Sequence, residues 1–343
     1  IADGFDSLVH LAVLNNNAEG TEADFHKVNA ELTLETAKVA EACEIKNFYN
    51  FSSVHVLDDQ NQSFYASSKR TAIELLKDLK SIKITNVYLP FVQGTKWNGK
   101  LAFLNNFPSF LAQPIQSCLL ALKPSVKVEK ISEFILQPQS DRENFILSER
   151  QTYNLAYRTI KRGLDLLFAV AVIGLLWWAL LIVWALVKYG SPGPGIFTQE
   201  RVGRYGKTFT CYKFRTMQQG TVQAGTHEVS QASVTPIGRV LRRTKFDELP
   251  QVWNILRNEI SLIGPRPGLP VQRDLFDTRQ AWGVFDVKPG ISGLAQVNDI
   301  DMSDPEKLAE WDARYVALQS LMLDVKITFA TVRGGGQGDK TGT

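Results

Sequence analysis

In the first 150 residues, short apolar runs alternate along the chain with segments in which apolar residues recur at helical spacing. Short apolar runs typical of buried strands cover Ser7–Val13, Lys46–Val54 and Ile84–Pro90. Between them, apolar residues recur at helical spacing over Glu22–Ala42 and from Tyr65 to about Leu79. Strands that alternate with helices are typical of a parallel sheet covered by helices. The pattern therefore predicts an α/β fold with a Rossmann-type sheet.

A long apolar run, Leu166–Val187, follows this region. Basic residues flank it, with Arg158, Lys161 and Arg162 before it and Lys188 after it. The run reaches the about 20 residues that span the hydrocarbon core of a bilayer. It also lacks the amphipathic stripe of a helix that packs on one side of a soluble core. We therefore predict a membrane helix over about 158–190; a buried core helix is the alternative.

Shorter elements follow the apolar run. Phe209–Met217 reads as a strand, Gln218–Thr235 as a polar loop and Pro236–Arg243 as a short helix. Apolar residues at helical spacing cover Pro305–Val332, and the tail over 334–343 is rich in glycine and predicted to be disordered. These elements predict a small, mainly helical α+β domain over 191–333.

Charge is distributed unevenly along the chain, whose net charge is +3. Acidic side chains are in slight excess up to Tyr157, whereas basic side chains are in clear excess after it. A basic second half suits phosphates or a lipid surface, and no feature points to nucleic acid. The three cysteines, Cys43, Cys118 and Cys211, have neither metal-type nor disulfide-type spacing, which fits a reducing compartment.

Two adjacent carboxylates, Asp247 and Glu248, stand close in sequence to several guanidinium groups. Arg242 and Arg243 precede them and Arg266 follows. Arginine suits planar binding of phosphate, and a carboxylate can serve as nucleophile, general base or ligand of a hard cation. Carboxylates, arginines and a divalent ion together are typical of phosphoryl chemistry. A solvated acidic pair in a turn is the alternative, which the apolar residues after the pair make less favourable.

Five motifs in this half resemble those of bacterial sugar transferases, the monotopic polyprenyl-phosphate phosphoglycosyl transferases. The resemblance runs from about Tyr157 to about Val332. In chain order the motifs are Phe197–Gly203, Tyr212–Met217, Asp247–Gln251, Gly264–Pro267 and Lys288–Asn298. The resemblance implies transfer of a sugar-1-phosphate from a UDP-sugar to undecaprenyl phosphate, with release of UMP, as the first step of a surface glycan pathway.

The resemblance also implies a role for each candidate residue. Asp247 takes the position of the nucleophile, which forms an aspartyl-phosphosugar intermediate and helps to hold Mg²⁺. Glu248 takes the position that orients or deprotonates the acceptor. The positions expected to bind phosphate or substrate are Lys213, Arg215, Arg242 and Arg266.

The resemblance places the protein in the bacterial inner membrane, with its catalytic domains on the cytoplasmic face. We expect a bent, re-entrant helix pair with both ends on that face, since both halves would use cytosolic nucleotide-linked substrates. Related enzymes bend at a Ser-Pro inside this helix, whereas Trp177-Trp178 stands at the matching place here and only Gly174 could loosen the helix. A true crossing is the alternative. A homo-oligomer is compatible with the sequence, but no motif predicts one.

The first half resembles the extended short-chain dehydrogenase/reductase family, in particular nucleotide-sugar epimerases and dehydratases. Tyr65 and Lys69 lie four residues apart on one predicted helix face, and Ser53 ends the second predicted strand. By this resemblance the three residues occupy the catalytic Ser-Tyr-Lys positions. A nearby ammonium is expected to lower the pKa of Tyr65. NAD(P) binding requires a glycine-rich turn after the first strand, which we expect to lie upstream of Ile1.

We accordingly predict an incomplete epimerase/dehydratase-like domain over 1–150, followed by the membrane helix and the transferase domain. Two alternatives stay open. In one, the first half is complete in a longer parent chain and modifies the donor sugar; in the other, the protein is a non-catalytic membrane scaffold.

Overall fold

The computed structural model describes residues 4–94, 97, 99–137, 142–221 and 233–336. The chain forms two compact units. Unit 1 comprises Ile1–Ala112 and Pro124–Glu149, and unit 2 comprises Gln113–Lys123 and Arg150–Thr343. Residues 113–123 thus belong to unit 2, although they lie inside the predicted N-terminal domain.

Unit 1 is built on a parallel sheet. Its strands are β1 (Ser7–His10), β2 (Asn47–Ser53), β3 (Lys83–Leu89), β4 (Phe91–Gln93), β5 (Ser125–Lys127) and β6 (Asn144–Ile146). Four of them form a sheet in the order β1-β2-β3-β6 with every neighbouring pair parallel, and β4 pairs with β5. This topology confirms the predicted α/β, Rossmann-type fold of the first half.

Helices α2 (Leu32–Ala42) and α3 (Phe64–Leu76) cover one face of this sheet and α5 (Val128–Leu136) covers the other, while α1 (Glu22–His26) packs with α3. Helix α4 (Ser109–Leu122) begins in unit 1, and its residues from Gln113 onward belong to unit 2. Consecutive residues of β2 point to opposite faces, so that Phe48 packs with Ala40 and Leu76 while Tyr49 packs with Val126. The helix predicted over 22–42 is interrupted by a π-helical turn, Lys27–Glu31, between α1 and α2.

A single long helix, α6 (Leu155–Gly190), opens the rest of unit 2. Its 36 residues correspond to about 54 Å at 1.5 Å per residue. It begins earlier than the apolar run because its first turns are polar on the side that packs inward. There Asp165 accepts hydrogen bonds from Ser261 Oγ at 2.9 Å and from the Leu262 amide at 2.8 Å.

One face of α6 packs against the rest of unit 2 near its N-terminus, where Tyr157 meets Leu321, at its middle and near its C-terminus. Ala169 and Val172 pack with Ile255, and Val187 packs with Phe214 and Leu241. The interval between these two packed stretches, 173–179, is much shorter than the about 20 residues that cross a bilayer core. Both ends of α6 therefore lie on the same compact unit. The predicted division into a helix pair is wrong, because the segment is one uninterrupted helix.

The opposite face of α6 is apolar and exposed. The helix meets the length and composition of a membrane span. Its exposed apolar side chains include Leu164, Leu167, Val170, Ile173, Leu175, Trp177, Trp178, Leu181, Ile182, Trp184, Leu186 and Tyr189. A core helix of a soluble domain would bury these groups, so the alternative of a buried core helix does not hold.

The remaining elements of unit 2 are short strands and helices. They are β7 (Ile196–Val202), β8 (Thr208–Phe214), α7 (Pro236–Thr244), α8 (Val252–Leu256), β9 (Ser261–Ile263), α9 (Arg273–Ala281), β10 (Gly290–Ser292), α10 (Leu294–Val297), α11 (Pro305–Leu318) and α12 (Leu321–Val332). Strands β7 and β8 form an antiparallel hairpin, and β9 pairs with β10 in parallel. The predicted polar loop falls largely on 222–232, outside the described residues.

The helical pattern predicted over 305–332 is two helices rather than one. Gln319 and Ser320 separate them, and Ser320 Oγ accepts a hydrogen bond from the Leu323 amide at 3.3 Å as the N-terminal cap of α12. The glycine-rich tail begins with a turn over 334–336 that packs on the unit, which corrects the prediction of disorder for those residues. Residues 337–343 lie outside the described part.

Candidate functional site

Strand β8 and the 3-10 turn Phe246–Gln251 bring two predicted site residues into contact. Lys213 Nζ lies 2.6 Å from Glu248 Oε1, and both side chains are largely buried. Arg266 Nη1 lies 4.0 Å from the same carboxylate oxygen. These three residues come from separate motifs of the sequence, and the fold brings them together.

The three side chains line a common narrow cleft with an accessible volume of about 10 Å³, roughly the space of one water molecule. The residues that line it are Arg201, Cys211, Lys213, Glu248, Gln251, Arg266, Pro267, Gly290 and Ile291. Three cations therefore surround one carboxylate. Such an excess of positive charge in a partly enclosed cleft favours an anionic ligand that carries more than one charge.

The cleft depends on a close backbone approach behind it. A Cβ on Gly290 would lie 2.1 Å from the Gly264 amide nitrogen, and one on Gly293 would lie 2.3 Å from the Gly264 carbonyl oxygen. Only glycine fits at these positions. The glycines let β10 pack directly against the Gly264–Pro267 segment, which carries Arg266.

Asp247 is buried and is 8% exposed. It is not among the residues that line the cleft, whereas Glu248 is. The cause is the 3-10 turn, in which successive side chains point about 120° apart. Of the two predicted carboxylates, only Glu248 thus faces the cleft, and the nucleophilic role of Asp247 stays a prediction.

Arg215 does not bind in the cleft. Strand β8 ends at Phe214, and the buried Arg215 guanidinium is directed instead at the end of α6. Its nitrogens donate to the carbonyl oxygens of Pro194 and Pro192 at 2.7 Å, Ser191 at 2.9 Å and Val187 at 3.2 Å. The prediction of a phosphate-binding role is wrong, because backbone carbonyls occupy the donors of this side chain. Arg215 caps the C-terminal end of the apolar helix.

Arg242 also lies away from the cleft lining. Its Nε donates to Thr216 Oγ1 at 3.0 Å, and its Nη1 is buried without a hydrogen-bond partner among the described residues. The structure therefore brings together Lys213, Arg266 and Glu248, but neither Arg215 nor Arg242.

Three cleft residues were not predicted from the sequence. Arg201 donates to the Pro267 carbonyl at 3.0 Å and to Gln199 Oε1 at 2.6 Å, which fixes it beside Arg266. Arg201 lies in the first of the five motifs, Phe197–Gly203, which could have identified it as a candidate. Gln251 and Cys211 are buried in the cleft wall, and burial raises the pKa of the Cys211 thiol. A thiol that stays protonated is a poor nucleophile, so Cys211 fills space.

The carboxylates could hold a divalent cation only in part. No group of three or more His, Cys, Asp or Glu side chains with metal-ligand geometry occurs in the described residues. Magnesium is often held by one or two carboxylates together with substrate phosphates. Asp247 and Glu248 supply such oxygen ligands, so the donor set fits an ion that arrives with a phosphorylated substrate.

Replacing Arg215 by methionine should loosen the end of α6 without removing a cleft contact. We expect a clear drop in thermal stability, of about 2–4 kcal/mol, because four carbonyl oxygens lose a charged donor. The Michaelis constant for the donor should stay close to that of the wild type. Thermal unfolding and initial-rate kinetics on the detergent-solubilised protein measure the two effects. A raised Michaelis constant with unchanged stability would return Arg215 to the ligand site.

Unit 1 carries the second candidate site. Ser53 ends β2 and Tyr65 lies in the first turn of α3, close enough for the Ser53 hydroxyl to act on the pKa of the Tyr65 phenol. Lys69, one turn further along α3, is 1% exposed and its Nζ donates to the Phe51 carbonyl at 3.4 Å. Burial raises the pKa of Tyr65, and the nearby Ser53 hydroxyl only partly opposes this rise. The expectation of a lowered pKa is therefore wrong.

Burial also lowers the pKa of Lys69 to about 8. Between about pH 8 and pH 10 the unfolded chain binds more protons at this position than the folded chain. Stability therefore rises with pH across this window. We expect Lys69→Met to stabilise unit 1 at pH 7 and to remove that rise, which thermal unfolding at pH 7, 8 and 9.5 measures. An unchanged slope would mean that the ammonium is solvated.

Sequence comparison finds relatives for the second half of the chain. The pattern of the family described as bacterial sugar transferase matches residues 156–336. UDP-N-acetylgalactosamine-undecaprenyl-phosphate N-acetylgalactosaminephosphotransferase of Aeromonas hydrophila is 39% identical over 228 residues, covering 63% of this chain and 53% of that protein. UDP-glucose:undecaprenyl-phosphate glucose-1-phosphate transferase of Escherichia coli is 38% identical, covering 52% of this chain and 40% of that protein. The chain thus spans about half the length of the first of these curated relatives.

Comparison with solved structures finds enzymes that are distant in sequence. WbmG of Bordetella bronchiseptica in complex with NAD is 15% identical with a TM-score of 0.32, and the match covers 42% of this chain and 50% of that one. UDP-N-acetylglucosamine 4-epimerase from Bacillus cereus is 15% identical with a TM-score of 0.31, covering 42% and 57%. The Rossmann-type assignment of unit 1 rests on its own strand order.

Proposed function

Because the chain belongs to the bacterial sugar transferase family, we propose that it transfers a sugar-1-phosphate from a UDP-sugar to a polyprenyl phosphate such as undecaprenyl phosphate, releasing UMP. The observation that carries the proposal is the cleft in which Arg201, Lys213 and Arg266 surround Glu248. A nucleoside diphosphate sugar brings two phosphate groups, whose charge these cations would neutralise. The two relatives are named for the transfer of N-acetylgalactosamine phosphate and glucose 1-phosphate from UDP-sugars to undecaprenyl phosphate.

The first half-reaction forms a covalent intermediate. A carboxylate oxygen of Asp247 attacks the β-phosphorus of the donor, and the bond from that phosphorus to the oxygen bridging the two phosphates breaks. UMP leaves with the electron pair. The sugar phosphate stays on Asp247 as an acyl phosphate. Lys213 and Arg266 bind the oxygens on which negative charge develops, and they are fixed in place before the donor arrives.

The second half-reaction releases the product. A phosphate oxygen of the polyprenyl phosphate attacks the same phosphorus, and the bond to Asp247 breaks to regenerate the carboxylate. Glu248 orients this acceptor or takes its proton, and its contact with Lys213 holds the carboxylate in the cleft. Asp247 would hold Mg²⁺ together with phosphate oxygens of the donor; when bound, the ion supplies charge neutralisation of the diphosphate.

The apolar helix supports a lipid-linked acceptor. Both ends of α6 contact unit 2 while its other face is exposed and apolar. A helix held in this way keeps the domain at the membrane surface, where the acceptor phosphate lies. We place unit 2 on the cytoplasmic face of the bacterial inner membrane, since UDP-sugars are cytosolic. Cysteines introduced at Arg158 and Lys188 should both resist a membrane-impermeant label applied from outside; labelling of one flank only would mean a crossing.

The test of the function is release of UMP from a panel of UDP-sugars by the detergent-solubilised protein. Without undecaprenyl phosphate no more than one UMP per protein molecule should be released, whereas with it UMP should accumulate and sugar label should move into the organic phase. The panel identifies the sugar. Absence of UMP with every donor, at protein concentrations that allow a single turnover to be seen, would refute the proposal.

A second candidate function concerns unit 1. Ser53 and Tyr65 lie close together with the buried Lys69 one turn away, and this arrangement supports a site that acts on the sugar of a nucleotide sugar. No glycine-rich turn follows a strand in residues 4–94, so the described residues do not fit a dinucleotide pyrophosphate. The test is interconversion of UDP-sugars by a chain that is extended before Ile1. The variant Tyr65→Phe should lose this activity.

A further inference from the structure

The residue that leads into the catalytic turn has an unusual backbone conformation. Lys245 has φ 58° and ψ 16°, in the left-handed region that residues with a side chain seldom adopt. It ends α7 and begins the turn that carries Asp247 and Glu248. The Glu248 amide donates to the Lys245 carbonyl at 3.2 Å. The conformation of Lys245 therefore sets the direction in which both carboxylates leave the helix.

The side chain of Lys245 reaches a distant part of the chain. Its Nζ donates to the Gly335 carbonyl at 2.8 Å, across 90 positions of sequence. Gly335 belongs to the turn over 334–336 that follows α12. An extended lysine on the surface gains little from such a bond, but Lys245 is half-buried and its acceptor is itself held in place.

The turn over 334–336, which we name the C-terminal turn, is fixed from several sides. The Gly335 amide donates to the Ala330 carbonyl at 2.8 Å, and the Gly334 amide donates to the Thr331 carbonyl at 3.1 Å. Gly336 has φ 67°, and a Cβ there would lie 2.7 Å from the Gln296 carbonyl oxygen. The C-terminal turn thus closes against α10 at a position where only glycine fits.

The same end of α12 is joined to the opposite wall of the cleft. Thr331 Oγ1 and Ser292 Oγ lie 2.7 Å apart, and Ser292 ends β10, whose Gly290 and Ile291 line the cleft. A continuous set of contacts therefore runs from β10 through α12 and the C-terminal turn to Lys245. It connects one wall of the cleft to the turn that carries the carboxylates.

We propose that Lys245 is a positioning residue, whose bond to the Gly335 carbonyl holds the left-handed turn and so fixes Asp247 and Glu248 relative to the cleft. The inference rests on the proposed function for its kinetic consequences only. The lysine touches no substrate in this scheme. Its loss should leave donor binding intact and misplace the reacting oxygen, and misplacement by about 1 Å can cost on the order of 100-fold in rate.

The test compares full-length variants. Lys245→Met removes the ammonium and keeps the length of the side chain, whereas Gly336→Ala displaces the C-terminal turn from Gln296. Each should lower kcat by about 10- to 100-fold with the Michaelis constant for the UDP-sugar changed by less than about twofold. The double variant should lose no more than the worse single variant, because both break one contact. Lys245→Arg should recover part of the rate, and Arg239→Met, an exposed cation on α7, is the matched control.

A second readout does not depend on activity. Hydrogen exchange of the amides of Phe246–Gln251 should accelerate in Lys245→Met and in Gly336→Ala, and stay unchanged in Arg239→Met. Losses that add in the double variant, a raised Michaelis constant with unchanged kcat, or unchanged exchange would each overturn the proposal. A wild type that releases no UMP would refute the proposed function, while the exchange measurement would still decide the role of Lys245.

Discussion

Replacing Asp247 by asparagine should abolish sugar-phosphate transfer. The amide has the shape of the carboxylate, but it carries no negative charge and cannot form a stable acyl phosphate. We expect a loss on the order of 10⁴-fold or more in UMP release, as for other enzymes that lose a covalent nucleophile. The same variant should show no phosphosugar adduct by intact-protein mass spectrometry, and it should remain attached to the membrane.

Two further variants test whether the loss of activity is specific to Asp247. Glu248→Gln should still form the adduct from the UDP-sugar but transfer it slowly, since Glu248 acts on the acceptor. Asp274→Asn changes an exposed carboxylate in the first turn of α9 and should behave as the wild type. Turnover retained by Asp247→Asn, or an adduct that maps to Glu248 rather than to Asp247, would mean that Asp247 is not the nucleophile. The structure gives a reason to look for an adduct on Glu248, because Glu248 lines the cleft and Asp247 does not.

Local patterns in the sequence were sufficient for the elements whose neighbours are close in the chain. The parallel strands of unit 1 follow from the alternation of periods, and α7 was expected over Pro236–Arg243 and ends at Thr244. Its limits are set by groups within the helix itself: Thr235 Oγ1 accepts the Gly238 amide at 3.0 Å, and Pro236 occupies the first turn. Such caps can be read from a few residues.

The extent of α6, predicted over about 158–190, is close to the observed Leu155–Gly190, but the contacts of its polar first turns could not be predicted in the same way. The side chains of these turns bond to residues about 100 positions away. Arg162 donates to the Ile255 carbonyl at 2.8 Å, and Asp165 accepts from Ser261 and Leu262. When the hydrogen-bond partners of a charged residue lie in a distant segment, the local sequence does not indicate them.

Lys213 and Arg215 show the same limit of local sequence at the candidate site, because only Lys213 lies in the cleft. The resemblance implied that both bind phosphate or substrate, and two residues that are two apart share a face only while the strand continues. Strand β8 ends at Phe214, between them, and the turn over 191–195 offers carbonyl oxygens to the second side chain. The roles of Lys213, Glu248 and Arg266 came from the resemblance of their motifs, whereas the end of the strand depends on packing against α6.

Asp324 is the clearest case of a residue whose partners were not foreseen, and its replacement should have the second largest effect. Lys326 and Arg333 are the basic residues nearest to it in sequence. Its carboxylate instead accepts from Lys161 Nζ at 2.7 Å, from the Tyr157 hydroxyl at 2.9 Å and from the Tyr315 hydroxyl at 2.7 Å. The network joins α12 and α11 to the first turns of α6, and the carboxylate is 7% exposed.

Asp324→Asn should therefore destabilise unit 2 by about 3–5 kcal/mol, because the Lys161 ammonium loses its nearest counter-ion while both stay buried. Burial and the Asp324 charge also raise the pKa of Tyr315, so the phenol stays a hydrogen-bond donor and cannot supply a compensating charge. Tryptophan fluorescence during urea unfolding in detergent measures the loss, since every tryptophan except Trp97 lies in residues 150–343.

The double variant Lys161→Met with Asp324→Asn distinguishes the loss of the ion pair from the loss of the hydrogen bonds that the carboxylate accepts from the two tyrosines. If the unpaired ammonium causes the damage, removing it should recover most of the stability, since an apolar replacement of a buried pair is often neutral. Lys326→Met, an exposed change on the same helix, should cost less than about 0.5 kcal/mol. A double variant as unstable as Asp324→Asn alone would instead assign the stability to the hydroxyls of Tyr157 and Tyr315. The carboxylate would then hold α6 through neutral hydrogen bonds rather than through charge.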